Sequence, residues 1–126
     1  MKNANEPRHF SRIPFHADVM LHFHLVEEAQ TAHLLDISLK GALFEMEYPL
    51  THIFKGKICR MVLFLGTGGE HITMDGVVVH QEGQLIGIEC RHIDVDSMSN
   101  LRRLIELNTG DAKLLERELA EVLKVG

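Results

Sequence analysis

The stretch from Phe15 to Leu25 alternates between apolar and mostly polar side chains, and this pattern constrains the fold more than any other feature of the sequence. One face carries Phe15, Ala17, Val19, Leu21, Phe23 and Leu25, and the other carries His16, Asp18, Met20, His22 and His24. A period of two residues predicts a long strand with one face in the core and one in solvent.

Further short apolar segments follow at regular intervals and are separated by turns that contain glycine. Strands are predicted at Thr31–Ile37, Ala42–Met46, Lys57–Leu65, His71–Gln81 and Gln84–His92. The glycine-rich residues 66–69 lack the Lys-Ser/Thr ending of a phosphate loop and precede a strand, so they are predicted to form a hairpin loop. Consecutive strands without intervening helices favour a mainly β fold, a six-stranded antiparallel barrel.

The period of the apolar residues changes at Asp94 from that of a strand to that of a helix. Asp94, Asp96 and Ser97 are candidate N-caps, and Met98, Leu101, Leu104, Ile105 and Asn108 follow at helical spacing. A second helix is predicted after residues 108–111, with an apolar stripe of Leu115, Leu119, Val122 and Leu123. We therefore expect a flexible arm (residues 1–12), a barrel (13–93) and C-terminal helices (94–126).

Composition narrows the classes of function. A chain of 126 residues with 45% hydrophobic residues is predicted to be one domain, and a net charge of −5 argues against binding to nucleic acid polymers or anionic membranes. We found neither an apolar run long enough to span a membrane nor a signal peptide, and we expect a cytoplasmic location. Cys59 and Cys90 stand singly within strand-like runs, as is typical of buried free thiols.

Two short motifs carry the chemistry. Arg8-His9-Phe10-Ser11-Arg12 offers two guanidiniums between Pro7 and Pro14, and Asp36-Ile37-Ser38-Leu39-Lys40-Gly41 has the composition of a tight polar turn. Arginine pairs bidentately with phosphate or with the O6 and N7 edge of guanine. A carboxylate accepts hydrogen bonds from the guanine N1–H and N2–H2 groups, and glycine permits close approach of the backbone. The two motifs together suit a guanine nucleotide.

In this order, Arg-x-x-x-Arg and Asp-x-Ser-x-x-Gly resemble the signature of the PilZ domain, the bacterial receptor domain for cyclic di-GMP. The resemblance extends over most of the chain and is closest to small stand-alone PilZ proteins. It implies that Arg8, His9 and Arg12 wrap over the ligand while Asp36, Ser38 and Gly41 lie beneath it. In relatives an aromatic side chain stacks on guanine, and the matching residue here is His80.

The resemblance also implies a receptor rather than an enzyme, with cyclic di-GMP as ligand and no cofactor. Ligand binding would order the arm and signal to a partner protein, which in this family is a flagellar, pilus, polysaccharide-export or enzyme component. Some relatives carry additional arginines where this chain has Pro7 and His9, so the binding of one or of two ligand molecules stays open.

Two alternatives come from other classes of protein. One is an adaptor that needs no ligand and binds its partner through the Leu-rich C-terminal helices. The other is a metal-binding barrel that uses His22 and His24, with His16 on the same strand face, although no motif typical of a metal site accompanies them. A solvent-facing row of histidines is the favoured interpretation of that face.

Overall fold

The protein is a closed β-barrel, seen here in a computed structural model that describes residues 13–50, 52–66 and 68–109. The strands are β1 (Ile13–Phe23), β2 (Gln30–Ser38), β3 (Gly41–Met46), β4 (Ile58–Phe64), β5 (His71–Glu82) and β6 (Leu85–Ile93), followed by the helix α1 (Val95–Thr109). Their order around the barrel is β1-β2-β3-β6-β5-β4, and all neighbours are antiparallel. The predicted six-stranded antiparallel barrel is confirmed.

The alternation that predicted β1 is visible in the burial of its side chains. Val19, Leu21 and Phe23 are buried in the core, whereas His16 and His22 are exposed on the outer face. The core is the interior of the barrel, which the inward-facing side chains of all six strands fill.

The prediction that Leu25 continues the buried face of β1 was wrong. β1 ends at Phe23, and Leu25 is 88% exposed in a turn where its φ is 69°. The amide of Val26 donates to the carbonyl of Phe23 at 3.0 Å, which closes that turn. The alternation of apolar residues in the sequence therefore extends to Leu25, two positions beyond the end of β1.

Helix α1 begins at the predicted cap and contributes to the barrel core. The carboxylate of Asp94 accepts a hydrogen bond from the amide of Ser97 at 3.0 Å, and the Ser97 hydroxyl accepts one from the amide of Thr73 at 2.9 Å. Leu101 and Ile105 are fully buried among the core residues. Helix α1 therefore packs against the barrel and adds to its core.

Two predicted segments lie outside the described residues, namely the N-terminal arm (1–12) and the second C-terminal helix. Strands β4 and β5 follow one another in the chain and pair in antiparallel orientation, which confirms that they form the predicted hairpin. No helix in the described ranges has the length and apolar character that crossing a membrane requires.

Strand β6 is approached closely by glycines on both of its neighbours. A Cβ atom at Gly41 of β3 would overlap the carbonyl oxygen of Ile88, and one at Gly76 of β5 would lie 2.6 Å from the carbonyl oxygen of Glu89. Both contacts are to backbone atoms, which cannot move aside as a flexible side chain can. The barrel therefore depends on glycine on both sides of β6.

Candidate functional site

A cavity of about 440 Å³ opens on the outside of the barrel where the β2–β3 turn meets β5 and β6. Strands β3, β6 and β5 are neighbours in the barrel, so residues far apart in sequence meet there. The cavity is lined by Asp36, Ser38, Lys40, Gly41, Ala42, Leu43, Val79, His80, Gly87, Ile88 and Glu89. Asp36, Ser38, Gly41 and His80, all predicted from the sequence, are thus brought together.

Asp36 reaches the outer face because β2 contains an irregularity just before it. With Leu34 in the core, strict alternation would direct Asp36 inward. The pairing of β2 with β3 shifts register between Leu34 and Asp36, and it is Ile37 that is fully buried instead. An extra residue in one strand reverses the faces of the residues that follow it.

A second irregularity exposes His80 in the same way. Val78 is buried, so alternation would put Val79 outside and His80 inside. The pairing of β5 with β6 shifts register between Val78 and His80, and both Val79 and His80 are exposed. Two bulges, one in β2 and one in β5, therefore turn a carboxylate and an imidazole towards one cavity.

The β2–β3 turn is held rigidly from both sides. Ser38 is only 5% exposed, and its hydroxyl accepts a hydrogen bond from the amide of Lys40 at 3.1 Å and donates to the carbonyl of Gly41 at 3.5 Å. Leu39, at the tip of the turn, is buried in the core. The local hydrogen bonding expected of a simple turn is present, and the same residues line the cavity.

Gly87 keeps the floor of the cavity flat. A Cβ atom at this position would lie 3.2 Å from the Cβ of His80 and 3.7 Å from the Cδ1 of Leu43. Glycine within a strand marks a place where another group approaches the backbone closely. The surface between Leu43 and His80 is therefore open to a flat ring.

The charge of the described lining does not by itself suit a doubly anionic ligand. Its charged residues are Asp36, Lys40 and Glu89, of which Lys40 alone is cationic. Glu89 also forms an ion pair with Arg91 at 3.1 Å, which places a guanidinium beside the cavity. A ligand with two phosphates needs further positive charge from elsewhere in the chain.

The predicted residues Arg8, His9 and Arg12 lie outside the described residues, but the chain joins the barrel beside the cavity. Ile13 pairs with Ile37, and Pro14 pairs with Asp36. Five extended residues span about 17 Å, so Arg8 is tethered within that distance of the end of β1. Chain connectivity thus keeps both arginines within reach of the Asp36 motif.

Seven lining residues were not predicted as site residues, and Lys40, Val79 and Gly87 are among them. Lys40 lies inside the Asp-x-Ser-x-x-Gly motif, and Gly87 is an isolated glycine in a strand pattern, which indicates close approach of another group. The sequence therefore carried a signal for both residues. The sequence carried no such signal for Val79.

The described part of the chain contains neither a metal centre with three protein ligands nor an activated thiol. Among residues 13–50, 52–66 and 68–109, no three His, Cys, Asp or Glu side chains surround a common point. Cys59 and Cys90 are both free thiols. Burial, reinforced by the charge of Asp75, raises the pKa of Cys59 to about 12, and burial also raises the pKa of Cys90. Raised pKa values make both thiols poor nucleophiles.

The sequence matches the family model of the PilZ domain over residues 6–107. The chain belongs to the PilZ domain family. PilZ is a cyclic di-GMP-binding family of receptor domains rather than a family of enzymes. The matched range includes the whole barrel and both sequence motifs.

Solved PilZ structures share the fold. The PilZ domain of CeSA from a cellulose-synthesizing bacterium superposes with a TM-score of 0.60 at 17% identity, covering 79% of this chain and 96% of that one. The inhibitor of motility MotI/DgrA of Bacillus subtilis superposes with a TM-score of 0.60 at 19% identity, covering 77% of this chain and 50% of that one. At these identities the likeness concerns the fold.

Proposed function

We propose that this PilZ domain is a receptor for cyclic di-GMP. The observation that carries the proposal is the cavity itself, because Asp36 and Ser38 of β2, Gly41 of β3 and His80 of β5 line one space. Two bulges are needed to produce that arrangement. Bulges are frequent next to functional sites, where they redirect side chains.

The arm and the barrel divide the recognition of the ligand. Asp36 accepts hydrogen bonds from the guanine N1–H and N2–H2 groups, and the base lies over Gly87 against the imidazole of His80. Arg8 and Arg12 neutralise the phosphates, which the described lining, with two carboxylates and one lysine, does not do. Binding therefore requires both halves of the motif.

Signalling follows from the ordering of the arm. Residues 1–12 fold over the ligand when its phosphates pair with Arg8 and Arg12, and the changed surface is recognised by a partner protein in the cytoplasm. Ordering the arm costs conformational entropy, which lowers the affinity relative to a preformed site.

Calorimetric titration with cyclic di-GMP tests the receptor, with GTP and cyclic GMP as competing candidates. Saturable binding is expected for the wild type, with loss of binding in Arg12→Ala and Asp36→Ala. Arg103→Ala, an exposed arginine of α1, is the matched control and should bind as the wild type does. The stoichiometry decides between one and two ligand molecules per chain.

Protection from trypsin tests the ordering of the arm separately. We expect cyclic di-GMP to slow cleavage of the Arg8–His9 bond while leaving the Lys55–Gly56 bond, which lies in an exposed turn, as reactive as before. Equal cleavage of the Arg8–His9 bond with and without saturating ligand would remove the ordering mechanism and keep the receptor. A folded protein that gives no heat with cyclic di-GMP would instead favour the adaptor that needs no ligand.

A further inference from the structure

Two histidines meet on the outer surface of the barrel, on the two neighbouring strands β1 and β2. The Nδ1 of His16 lies 3.3 Å from the Nε2 of His33, and their ring centroids are 5.4 Å apart. His16 lies in the stretch between Pro14 and Ala17 where β1 and β2 shift register. The sequence placed His16 in a row with His22 and His24 on one face of β1. In the structure, the histidine that His16 contacts is His33 of β2.

The distance between the two nitrogens suits a shared metal ion. Zinc binds imidazole nitrogen at about 2.0–2.1 Å, so two such nitrogens 3.3 Å apart subtend roughly 104–111° at the metal, close to the tetrahedral angle. The same distance also allows a weak N–H···N hydrogen bond when one ring donates. A metal ion bound by both nitrogens would replace the proton of that hydrogen bond.

A carboxylate stands on the far side of one of the rings. The Nδ1 of His33 lies 3.5 Å from a carboxylate oxygen of Asp18, while its Nε2 faces His16. Histidines that bind metals commonly donate their second ring N–H to a carboxylate, which fixes the tautomer and leaves the other nitrogen free to coordinate. The carboxylate of Asp18 is positioned to accept such a hydrogen bond from the Nδ1 of His33.

The surroundings of His33 are acidic. His33 lies opposite Glu45 in the β2–β3 ladder. A shallow cavity of about 400 Å³ beside it is lined by Asp18, Glu45 and Glu47, and within the described part of the chain no Lys or Arg lines it. Several carboxylates around a cleft, with no positive charge among them, raise the local concentration of cations. By contrast, His22 lies opposite Arg60, whose charge opposes cation binding.

We propose that His16 and His33 form a binding site for a divalent transition-metal ion such as zinc, with Asp18 as the positioning residue for His33. Imidazole suits zinc, copper and nickel, and water occupies the coordination positions that the two rings leave. His16 lies on the strand that joins the arm to the barrel, four residues after Arg12. It rests on geometry independent of the nucleotide cavity.

Titration of tag-free, metal-stripped protein with Zn²⁺ tests the proposal. We expect one Zn²⁺ per chain, with binding weakened at least about tenfold in His16→Asn and in His33→Asn. Asp18→Asn should weaken binding about 10–100-fold, the usual effect of losing such a carboxylate. His22→Asn, an exposed histidine of the same strand, is the matched control and should bind normally. Thermal unfolding in EDTA verifies that each variant is folded.

Electron paramagnetic resonance with Cu²⁺ supplies a readout of the ligands themselves. Coupling of one bound Cu²⁺ to two imidazole nitrogens in the wild type, and to one in His33→Asn, would support the site. The proposal is overturned if Zn²⁺ does not bind saturably to the wild type. It is equally overturned if His16→Asn and His33→Asn bind as the wild type does, or if His22→Asn alone abolishes binding.

Discussion

Replacing Gly41 by alanine should destabilise the barrel strongly. The added Cβ would overlap the carbonyl oxygen of Ile88 and lie 3.1 Å from its carbonyl carbon and 3.3 Å from the Cα of Glu89. All three atoms belong to the backbone of β6, so relief requires β3 and β6 to move apart. That movement stretches the ladder between them, including the bond that the amide of Cys90 donates to the carbonyl of Lys40 at 2.6 Å.

The size of the effect follows from two costs. Inserting a methyl group into a packed site costs about 1–3 kcal/mol. Weakening one backbone hydrogen bond adds about 1 kcal/mol. We therefore expect Gly41→Ala to lower the free energy of unfolding by about 2–4 kcal/mol. For a domain of this size the midpoint of thermal unfolding should fall by about 8–16 °C.

Urea unfolding followed by far-UV circular dichroism measures this loss, with Gly68→Ala as the matched control. A Cβ atom at Gly68 meets no atom within 4 Å, and its φ is not positive, so that variant should unfold at the wild-type midpoint. The slope of the free energy against urea should be unchanged in both variants. Equal midpoints for Gly41→Ala and Gly68→Ala would refute the argument that close approach to β6 requires glycine.

Three further predictions concern an ion pair, a thiol and the cavity floor. Arg60 donates to Asp75 at 2.6 and 3.1 Å and lowers its pKa, so Asp75→Asn should cost about 0.5–1 kcal/mol at pH 7. Because the pKa of Asp75 is lowered in the folded protein, its stabilising effect is complete above the unfolded value of about 3.9. The difference between the two proteins in urea titrations should therefore shrink as the pH falls below about 4 and vanish below the lowered pKa. Cys59, with a pKa of about 12, should resist iodoacetamide at pH 8 until the protein unfolds; mass spectrometry showing fast labelling of native protein would contradict this. Gly87→Ala, which crowds the Cβ of His80 at 3.2 Å, should weaken cyclic di-GMP binding by about tenfold in calorimetry, and unchanged affinity would exclude the flat floor as a contact surface.

The strands could be predicted because each of them buries one face. In β1 the buried residues Val19, Leu21 and Phe23 recur at every second position, and that period needs no knowledge of neighbouring strands. The position at which β1 ends could not be predicted from this period. Leu25 continues the apolar period into a turn, because composition does not reveal that its backbone adopts a positive φ.

The candidate site was predicted only as far as its motifs allowed. Asp36, Ser38 and Gly41 form one contiguous signature, so their proximity follows from the sequence. The exposure of His80 and the contact between His16 and His33 depend on register shifts between strands. Register is set by pairing across the barrel, and a single bulge changes which residues share a face.

The buried Leu39 at the tip of the β2–β3 turn limits how this part of the sequence can vary in length. Leu39 is in the core, while Ser38 and Lys40 on either side of it line the cavity. Inserting or deleting one residue here would exchange those positions, bringing a polar side chain into the core and leucine into the cavity. Loops usually tolerate such changes, but this turn should be as fixed in length as the strands that it connects.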